Sequence, residues 1–256
     1  MSQSVNLTRL KPMRLARLTF AGIVFIGAVS CISPATVWSR VIVDDMVVVK
    51  GEKIMLRAET KGRFFSKGGE LLEFYVDGKS IGKNLSGGDG VGYKAFVPGR
   101  TGLHKIRVTS DEGEDTGLLL CLRKGSGVVF IDVEGALLET SFSRKAMSGS
   151  QKAVREINQI CPVVFLQRGF LGARFTQGWL RENKFMELPV IPWRKGAIFD
   201  EVAEEGLKIK AVIGAPKVIE SAGEHVPLSF SFEQTEGAEW AANWEEIEKK
   251  FKESGK

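Results

Sequence analysis

Cysteine and histidine are scarce in this 256-residue sequence, which contains three cysteines and two histidines. His104 and His225 are far apart, and the spacing typical of a Cys/His metal site is missing. Cys121 and Cys161 lie at the edges of the apolar runs "LLLCL" and "ICPVVF", where a reduced cysteine is commonly a small core residue. An exported compartment would also permit a disulfide bond between them.

Acidic residues are missing before Asp44, whereas Arg9, Lys11, Arg14 and Arg17 give the start of the chain four positive charges. These four account for most of the net charge of +5. The rest of the chain is almost neutral, so it lacks the basic surface of a nucleic-acid-binding protein, and we expect no nucleic-acid partner. With 43% hydrophobic and 26% charged residues, the composition excludes disordered, collagen-like and multi-span membrane classes.

Charge is also missing between Arg17 and Arg40, where the sequence reads "LTFAGIVFIGAVSCISPATVW". A positive region followed by an apolar run is typical of a secretory signal or an N-terminal anchor whose positive end stays in the cytoplasm. Residues 1–40 are therefore predicted to be a signal peptide or membrane anchor. The remainder is expected to be exported, to the periplasm or the cell envelope, and to contact the membrane through this segment.

Three fates of this segment stay open. The run "AVSC" resembles a weak bacterial lipobox, which would make Cys31 a lipidation site, although Ala28 stands where leucine is usual. The run "SPA", which ends at Ala35, is a competing cleavage site. The segment is also long enough for an uncleaved span, because roughly 20 residues cross a bilayer. A buried N-terminal helix explains the charge asymmetry least well.

Residues 41–124 contain short β-rich runs separated by "KGE", "DGK", "GGDG" and "DEGE". Strands at such even spacing, with Asp-Gly turns, indicate a β-sandwich. The runs "FYVDGKSIG" and "TGLHKIRVTS" resemble bacterial immunoglobulin-like and adhesin-type modules. That resemblance implies an immunoglobulin-like (Ig-like) β-sandwich that acts as a spacer or binding surface, without a catalytic role.

Residues 125–256 alternate between strand-like and helix-like segments, among them "VVFIDV", "SGSQKAVREINQI", "PVVFLQ", "GARFTQGWLRENK" and "KIKAVIGA". This alternation predicts a three-layer, Rossmann-like α/β domain, with a parallel sheet and helices on both faces. In the late run "WAANWEEIEKKF", a helix would place Trp240, Trp244, Ile247 and Phe251 on one face. Such a face is typical of core packing.

Four segments of this second part carry a family resemblance. The run "VVFIDVEGALLE" resembles the first motif of the haloacid dehalogenase (HAD) superfamily, in which a strand ends in Asp-x-Asp. The run "VVFLQRGFLGARFTQGWLRENKF" is similar to the second-motif region of the lipin-like phosphatidate-phosphatase branch. The runs "RKGAIFDEV" and "KIKAVIGAP" resemble the third-motif lysine helix and the strand before the fourth motif. The resemblance covers residues 127–250 and implies a HAD-like α/β fold.

The resemblance implies phosphatase chemistry that depends on Mg²⁺. Asp132 matches the nucleophile, which is also a metal ligand, and Glu134 stands where the acid/base aspartate is expected. Gln167 occupies the phosphate-binding Ser/Thr position, with Arg168 beside it as a second substrate-binding candidate. Lys195 matches the charge-neutralising lysine. The nucleophile would form an aspartyl-phosphate while the metal neutralises the clustered anions.

The sequence departs from this pattern in three places. Glu134 is one methylene longer than the expected aspartate, and Gln167 could contact phosphate only through its amide. Ala215 takes the place of a metal-binding aspartate, and a methyl group offers Mg²⁺ no oxygen ligand. Glu220 is the candidate replacement ligand. We therefore expect impaired or lost catalysis, with Asp132 as the remnant of a nucleophile. Apart from the resemblance, an aspartate at the end of a buried strand can also simply cap a turn.

Three functions remain open from the sequence. The leading hypothesis is a catalytically impaired HAD-like module at the cell envelope that binds a phosphorylated ligand or an envelope protein. The second is a Mg²⁺-dependent phosphohydrolase that acts on a phospholipid or another large phosphoester, because no cap domain fits between the motifs. The third is a structural or adhesive envelope protein. Clustering of Asp132, Glu134, Lys195 and Glu220 around one cavity would favour the first two, and scatter would favour the third.

Overall fold

The computed structural model describes residues 41–254, apart from 63–64, 141–142 and 170–171. The predicted signal peptide or anchor, with its lipidation candidate Cys31, lies outside the described residues. None of the helices in the described part combines the length and the apolar character that a membrane span requires. The described residues belong to one compact unit.

The first part of the described chain is a β-sandwich. A three-stranded sheet in the order β1-β3-β6 faces a five-stranded sheet in the order β2-β8-β7-β4-β5 across a common hydrophobic core. Neighbouring strands run antiparallel except for the parallel pair β2 and β8. The predicted sandwich is therefore confirmed. Its strands are β1 Val41–Val43, β2 Met46–Val49, β3 Ile54–Thr60, β4 Leu71–Val76, β5 Lys79–Leu85, β6 Val91–Phe96, β7 Gly102–Ser110 and β8 Gly113–Leu122.

The second part is a six-stranded parallel sheet in the order β11-β10-β9-β12-β13-β14. Side chains of α1, α2 and α5 pack on one face of it, and side chains of α3 and α4 pack on the other. The prediction of a parallel sheet with helices on both faces is confirmed. The elements are β9 Gly127–Asp132, α1 Ser150–Ile160, β10 Val163–Gln167, α2 Ala173–Glu182, β11 Val190–Pro192, α3 Ala197–Glu204, β12 Lys208–Ile213, α4 Pro216–Ala222, β13 Ser229–Ser231, β14 Glu239–Trp240 and α5 Trp244–Ser254.

The C-terminal helix begins later than the sequence pattern predicts. Trp244, Ile247 and Phe251 are buried on one face of α5, as expected. Trp240 lies instead in the short strand β14 and is 51% exposed, so its predicted place on the helix face is wrong. Hydrophobic spacing alone does not show where a helix begins. The start of α5 is marked by Asn243, whose side-chain oxygen accepts a hydrogen bond from the Glu246 N–H at 3.0 Å.

Strands β2 and β8 contribute to two hydrophobic cores at once. Because successive side chains of a strand point to opposite faces, Val48, Leu119 and Cys121 face the core of the sandwich. The alternate residues of the same strands pack with β9, α3 and α4 in a core of the α/β part. Those alternate residues are Val47, Val49, Leu120 and Leu122. The boundary predicted between residues 124 and 125 therefore crosses a shared core.

Asp45 makes a second connection between the two parts. It is buried in the turn between β1 and β2, and its carboxylate accepts hydrogen bonds from the Leu118 N–H at 2.7 Å and the Val190 N–H at 2.8 Å. The side-chain amide of Gln177 in α2 donates a third bond at 3.3 Å. Burial is the largest influence on this carboxyl and raises its pKa to about 6, although all three hydrogen bonds lower it.

The two remaining cysteines are both free thiols. Cys121 is buried in the sandwich core, and Cys161 is buried in the α/β core at the end of α1. Burial raises the pKa of the Cys161 thiol to about 11. Both therefore behave as small core residues, as one of the two sequence interpretations proposed.

We expect the described chain to unfold as one unit because the two parts share a core. Leu56 is fully buried in the sandwich core, whereas four of the five tryptophans of the chain lie in the α/β part. The substitution Leu56→Ala should lower the free energy of unfolding by about 2–4 kcal/mol. In urea, the transitions followed by tryptophan fluorescence and by far-ultraviolet circular dichroism should shift together.

The matched control is Leu103→Ala in β7, since Leu103 is 44% exposed. This variant should leave both transitions close to those of the wild type. A fluorescence transition that stays in place after Leu56→Ala, while the dichroism curve splits in two, would contradict a single cooperative unit.

Asp45 should make stability depend on pH. Its folded-state pKa of about 6 lies above the ordinary value of 3.8, so the folded chain holds this proton more tightly than the unfolded chain. The resulting stabilisation is fully present below about pH 4 and is lost as the pH rises through about 6. Over this window the free energy of unfolding of the wild type should fall by about 3 kcal/mol relative to that of Asp45→Asn.

Urea unfolding of both proteins at a series of pH values between about 4 and 7 measures this difference. Asp111→Asn, in an exposed turn, serves as the control and should differ from the wild type by a constant amount. An equally constant difference for Asp45→Asn would show that the buried carboxyl is not the titrating group.

Candidate functional site

Strand β9 places Asp132 at the carboxyl edge of the sheet. This strand occupies the centre of the order β10-β9-β12, and its residues from Val128 onward are buried on both faces. Asp132 is its last residue and is fully buried. The neighbouring strands β10 and β12 end at the same edge, where Gln167 and Gly214 lie. Ligands of open parallel sheets commonly bind at the edge where the strand order reverses, as it does here around β9.

Asp132 is held by contacts from two directions. Its Oδ2 accepts a hydrogen bond from the Ala215 N–H at 3.1 Å, and Nε of Arg168 lies 3.3 Å from its Oδ1. Burial is the largest influence and raises the pKa of this carboxyl to about 6. The positive charge of Arg168 and the backbone N–H groups lower that pKa, and the charge of Glu134 raises it.

Glu134 belongs to the same cluster. A π-helical turn, Val133–Leu137, follows β9 directly and turns the Glu134 side chain back into the protein, where it is buried. Its Oε2 accepts a hydrogen bond from the Arg168 N–H at 2.8 Å and lies 3.9 Å from Nε of the same arginine. Turns of this kind inside proteins are frequently found at functional sites.

Three buried atoms of this cluster make no hydrogen bond. They are Oδ1 of Asp132, Oε1 of Glu134 and Nε of Arg168. Such atoms are uncommon in folded proteins, since a buried polar atom without a partner loses its bonds to water. Here Nε of Arg168 lies 3.3 Å from Oδ1 of Asp132 and 3.9 Å from Oε2 of Glu134, so the attraction between the guanidinium and the carboxylates offsets part of the desolvation.

Gln167 uses its side chain to hold the loop that follows β10. With the amide oriented so that its oxygen faces the loop, this oxygen accepts hydrogen bonds from the Gly169 N–H at 2.8 Å and the Gly172 N–H at 3.1 Å. Gln167 is buried. The amide therefore stabilises the entry into α2, and its oxygen is already engaged by the loop.

Lys195 and Glu220 are not joined to this cluster. Lys195 is exposed in a 3₁₀ turn before α3, with a φ of 56° that is uncommon for a residue other than glycine. Glu220 is exposed on α4. Within the described residues, no ion pair links either side chain to Asp132 or Glu134. The structure thus brings together the residues from β9 and β10 and leaves the other two candidates on the surface.

The residues present do not fit a Mg²⁺ site. Magnesium requires near-octahedral oxygen coordination, and Asp132 and Glu134 are the two carboxylates of the cluster. Ala215 contributes a backbone N–H that points at Asp132, so it adds a donor where a metal needs an acceptor. No group of three or more His, Cys, Asp or Glu side chains that could hold a metal occurs in the part of the chain that the structure describes. Arg168 already brings a positive charge to both carboxylates.

Two glycines that the sequence did not mark as site residues shape the site. A Cβ atom at Gly135 would lie 2.7 Å from the Ala215 nitrogen and closer still to Oδ2 of Asp132. A Cβ atom at Gly214 would lie 2.7 Å from Cβ of Asp132. The available signal was the position of each glycine just beyond a buried strand, where backbone often approaches a side chain closely.

Comparison with known proteins identifies no family for this chain. No protein-family model and no curated protein matches it. Similar solved structures include the CARDB domain of a Pyrococcus furiosus protein, with 14% identity, a TM-score of 0.26, and coverage of 32% of this chain and 90% of that one. Fibronectin(III)-like modules of Clostridium thermocellum CbhA have 19% identity and a TM-score of 0.24, with coverage of 32% of this chain and 97% of that one.

Invasin, a bacterial integrin-binding protein, has 11% identity and a TM-score of 0.29, with coverage of 33% of this chain and 19% of that one. These matches cover about a third of the chain. Scores and identities this low carry no argument about the fold or the activity of this chain, and the comparisons do not identify the HAD superfamily.

Close packing around Asp132 predicts that alanine at position 135 is not tolerated. Gly135→Ala should lower the free energy of unfolding by about 1–3 kcal/mol, because its methyl group would displace the Asp132 carboxylate or the Ala215 backbone. The matched control is Gly178→Ala in α2, where a Cβ atom meets nothing within 4 Å. That control should raise stability by about 0.5–1 kcal/mol. Urea unfolding of both variants measures the two effects, and equal stability of the two would refute the close approach.

Proposed function

We propose that this protein is a non-catalytic interaction module of the cell envelope, in which the α/β part descends from a HAD-like phosphatase. The observation that carries this proposal is the pairing of the buried Asp132 with Arg168 and with the Ala215 N–H. A nucleophilic carboxylate must reach a phosphorus atom beside a cation that is free to bind the phosphoryl oxygens. Here the nearby cation is the Arg168 guanidinium, which already lies within 4 Å of both carboxylates.

The position of the motifs supports descent from such an enzyme. Asp132, Gln167 and Ala215 follow three adjacent parallel strands in the order that the four HAD-like segments imply. Lys195 precedes α3, the helix before β12, as the third motif requires. The sheet therefore agrees with the resemblance, whereas the side chains needed for metal and phosphate binding have been replaced or engaged elsewhere.

The choice of partner follows from the same site. A phosphorylated ligand would need donors that face the solvent, but the Gln167 side chain is buried and Lys195 is not joined to the cluster. A protein partner at the envelope fits better. Envelope location itself is inferred from the positive and apolar pattern of residues 1–40.

A structural or adhesive role is the second candidate, and it is favoured by the exposed positions of Lys195 and Glu220, because scatter of the four candidate residues favours this role. On the outer face of the three-stranded sheet, Met55 is 48% exposed and Tyr93 is 44% exposed. The two residues lie on the same face, because Met55 pairs with Ala95 and Arg57 pairs with Tyr93 in the β3 and β6 register. Exposed apolar side chains of this kind can contact another protein. The shared core of the two parts would present this face on a rigid body.

Phosphatase assays test the loss of catalysis. We expect the purified full-length chain to hydrolyse generic phosphomonoesters no faster than its Asp132→Asn variant, with Mg²⁺ or with other divalent ions present. This substitution keeps the shape of the side chain but removes the nucleophile. Metal-dependent turnover that disappears in Asp132→Asn would reject the proposal and establish a working phosphohydrolase.

A further inference from the structure

Arg168 reaches the two carboxylates of the cluster with two different groups. Its backbone N–H donates to Oε2 of Glu134 at 2.8 Å, and its guanidinium Nε lies 3.3 Å from Oδ1 of Asp132 and 3.9 Å from Oε2 of Glu134. The residue directly follows β10, the strand that pairs with β9. Its position is thus fixed by the same sheet that fixes Asp132.

The positive charge of Arg168 offsets part of the negative charge buried inside the protein. Asp132 is fully buried and Glu134 is 7% exposed, so bulk water solvates neither carboxylate well. The guanidinium is the positive group that the structure places within ion-pair distance of both. In the enzymes that the sequence resembles, a divalent cation performs this neutralisation.

We propose that Arg168 is a built-in countercation that takes the place of the divalent metal, so that the wild-type cluster excludes Mg²⁺. This inference deepens the proposed function and rests on it. A divalent ion between Asp132 and Glu134 would lie against the guanidinium and be repelled by it. Oδ1 of Asp132 and Oε1 of Glu134 accept no hydrogen bond, so they are the oxygen atoms that a metal would bind once the guanidinium is removed.

Removal of the charge should therefore let Mg²⁺, which can keep several of its waters, bind weakly through the two carboxylates, although Ala215 still adds no oxygen ligand. Arg168→Met keeps most of the length of the side chain without its charge, and leaves the backbone N–H that binds Glu134. We expect the unfolding temperature of this variant to rise with millimolar Mg²⁺, whereas that of the wild type stays constant. The apparent affinity for Mg²⁺ should be at least about tenfold tighter in Arg168→Met than in the wild type.

Two further variants identify the ligands. Arg168→Lys keeps a positive charge and should show no Mg²⁺ dependence. The double variant Arg168→Met with Asp132→Asn should lose the dependence that the single variant gains. Equal Mg²⁺ affinities in wild type and Arg168→Met would overturn the inference, as would an Arg168→Met variant that Mg²⁺ does not stabilise.

A measurement on the wild type alone covers the case in which Arg168→Met does not fold. The Ala215 and Arg168 N–H groups donate to the two carboxylates, so their nuclear magnetic resonance shifts report on ion binding there. We expect Mg²⁺ to leave both shifts unchanged, and saturable changes at both would overturn the inference. Mg²⁺ binding without ester turnover would overturn this inference and not the proposed function, whereas ester turnover would overturn the proposed function.

Discussion

A strand covered on both faces can carry a charged side chain only at its ends, and the site depends on this constraint. In β9, Val128 and Phe130 pack into one core while Val129 and Ile131 pack into the other. Both faces of the strand are therefore apolar, so a carboxylate can first contact polar groups at the end of the strand, on the carboxyl edge of the sheet. Asp132 occupies that position, and the Ala215 N–H, which follows the neighbouring strand β12, is directed at it.

Burial then decides what must surround the carboxylate. An ionised group in an apolar interior needs hydrogen bonds and an opposite charge. The Ala215 N–H provides one bond and Arg168 provides the charge, but burial remains the larger influence, because the pKa of Asp132 stays raised. The same balance acts at Asp45, where three donors do not fully compensate for burial. Both carboxyls therefore trade some stability near neutral pH for a fixed geometry.

Periodicity explains why much of the fold was predictable. Alternating strands with Asp-Gly turns indicated the sandwich, and alternating strands and helices indicated the parallel sheet, because both patterns follow from which side chains must be buried. The same reasoning could not show that β2 and β8 serve two cores, since Val47 and Val48 are equally apolar and differ only in the face they occupy. The start of α5 was missed for a related reason, since Trp240 continues the apolar spacing of the helix into a strand.

The site was predictable in position but not in its pairings. Strand ends locate Asp132 and Gln167 from the sequence alone, whereas the direction of the Arg168 and Gln167 side chains depends on contacts made across strands and loops. Those contacts change the chemistry that the motifs imply. A guanidinium tethered to the chain permanently offsets part of the charge of the two carboxylates. Unlike a metal ion with exchangeable water ligands, it has no coordination position to offer to a phosphoryl oxygen. Under the proposed function, the cluster serves a fixed fold and not turnover, and the methyl group of Ala215 stands at a position where the protein needs no metal ligand.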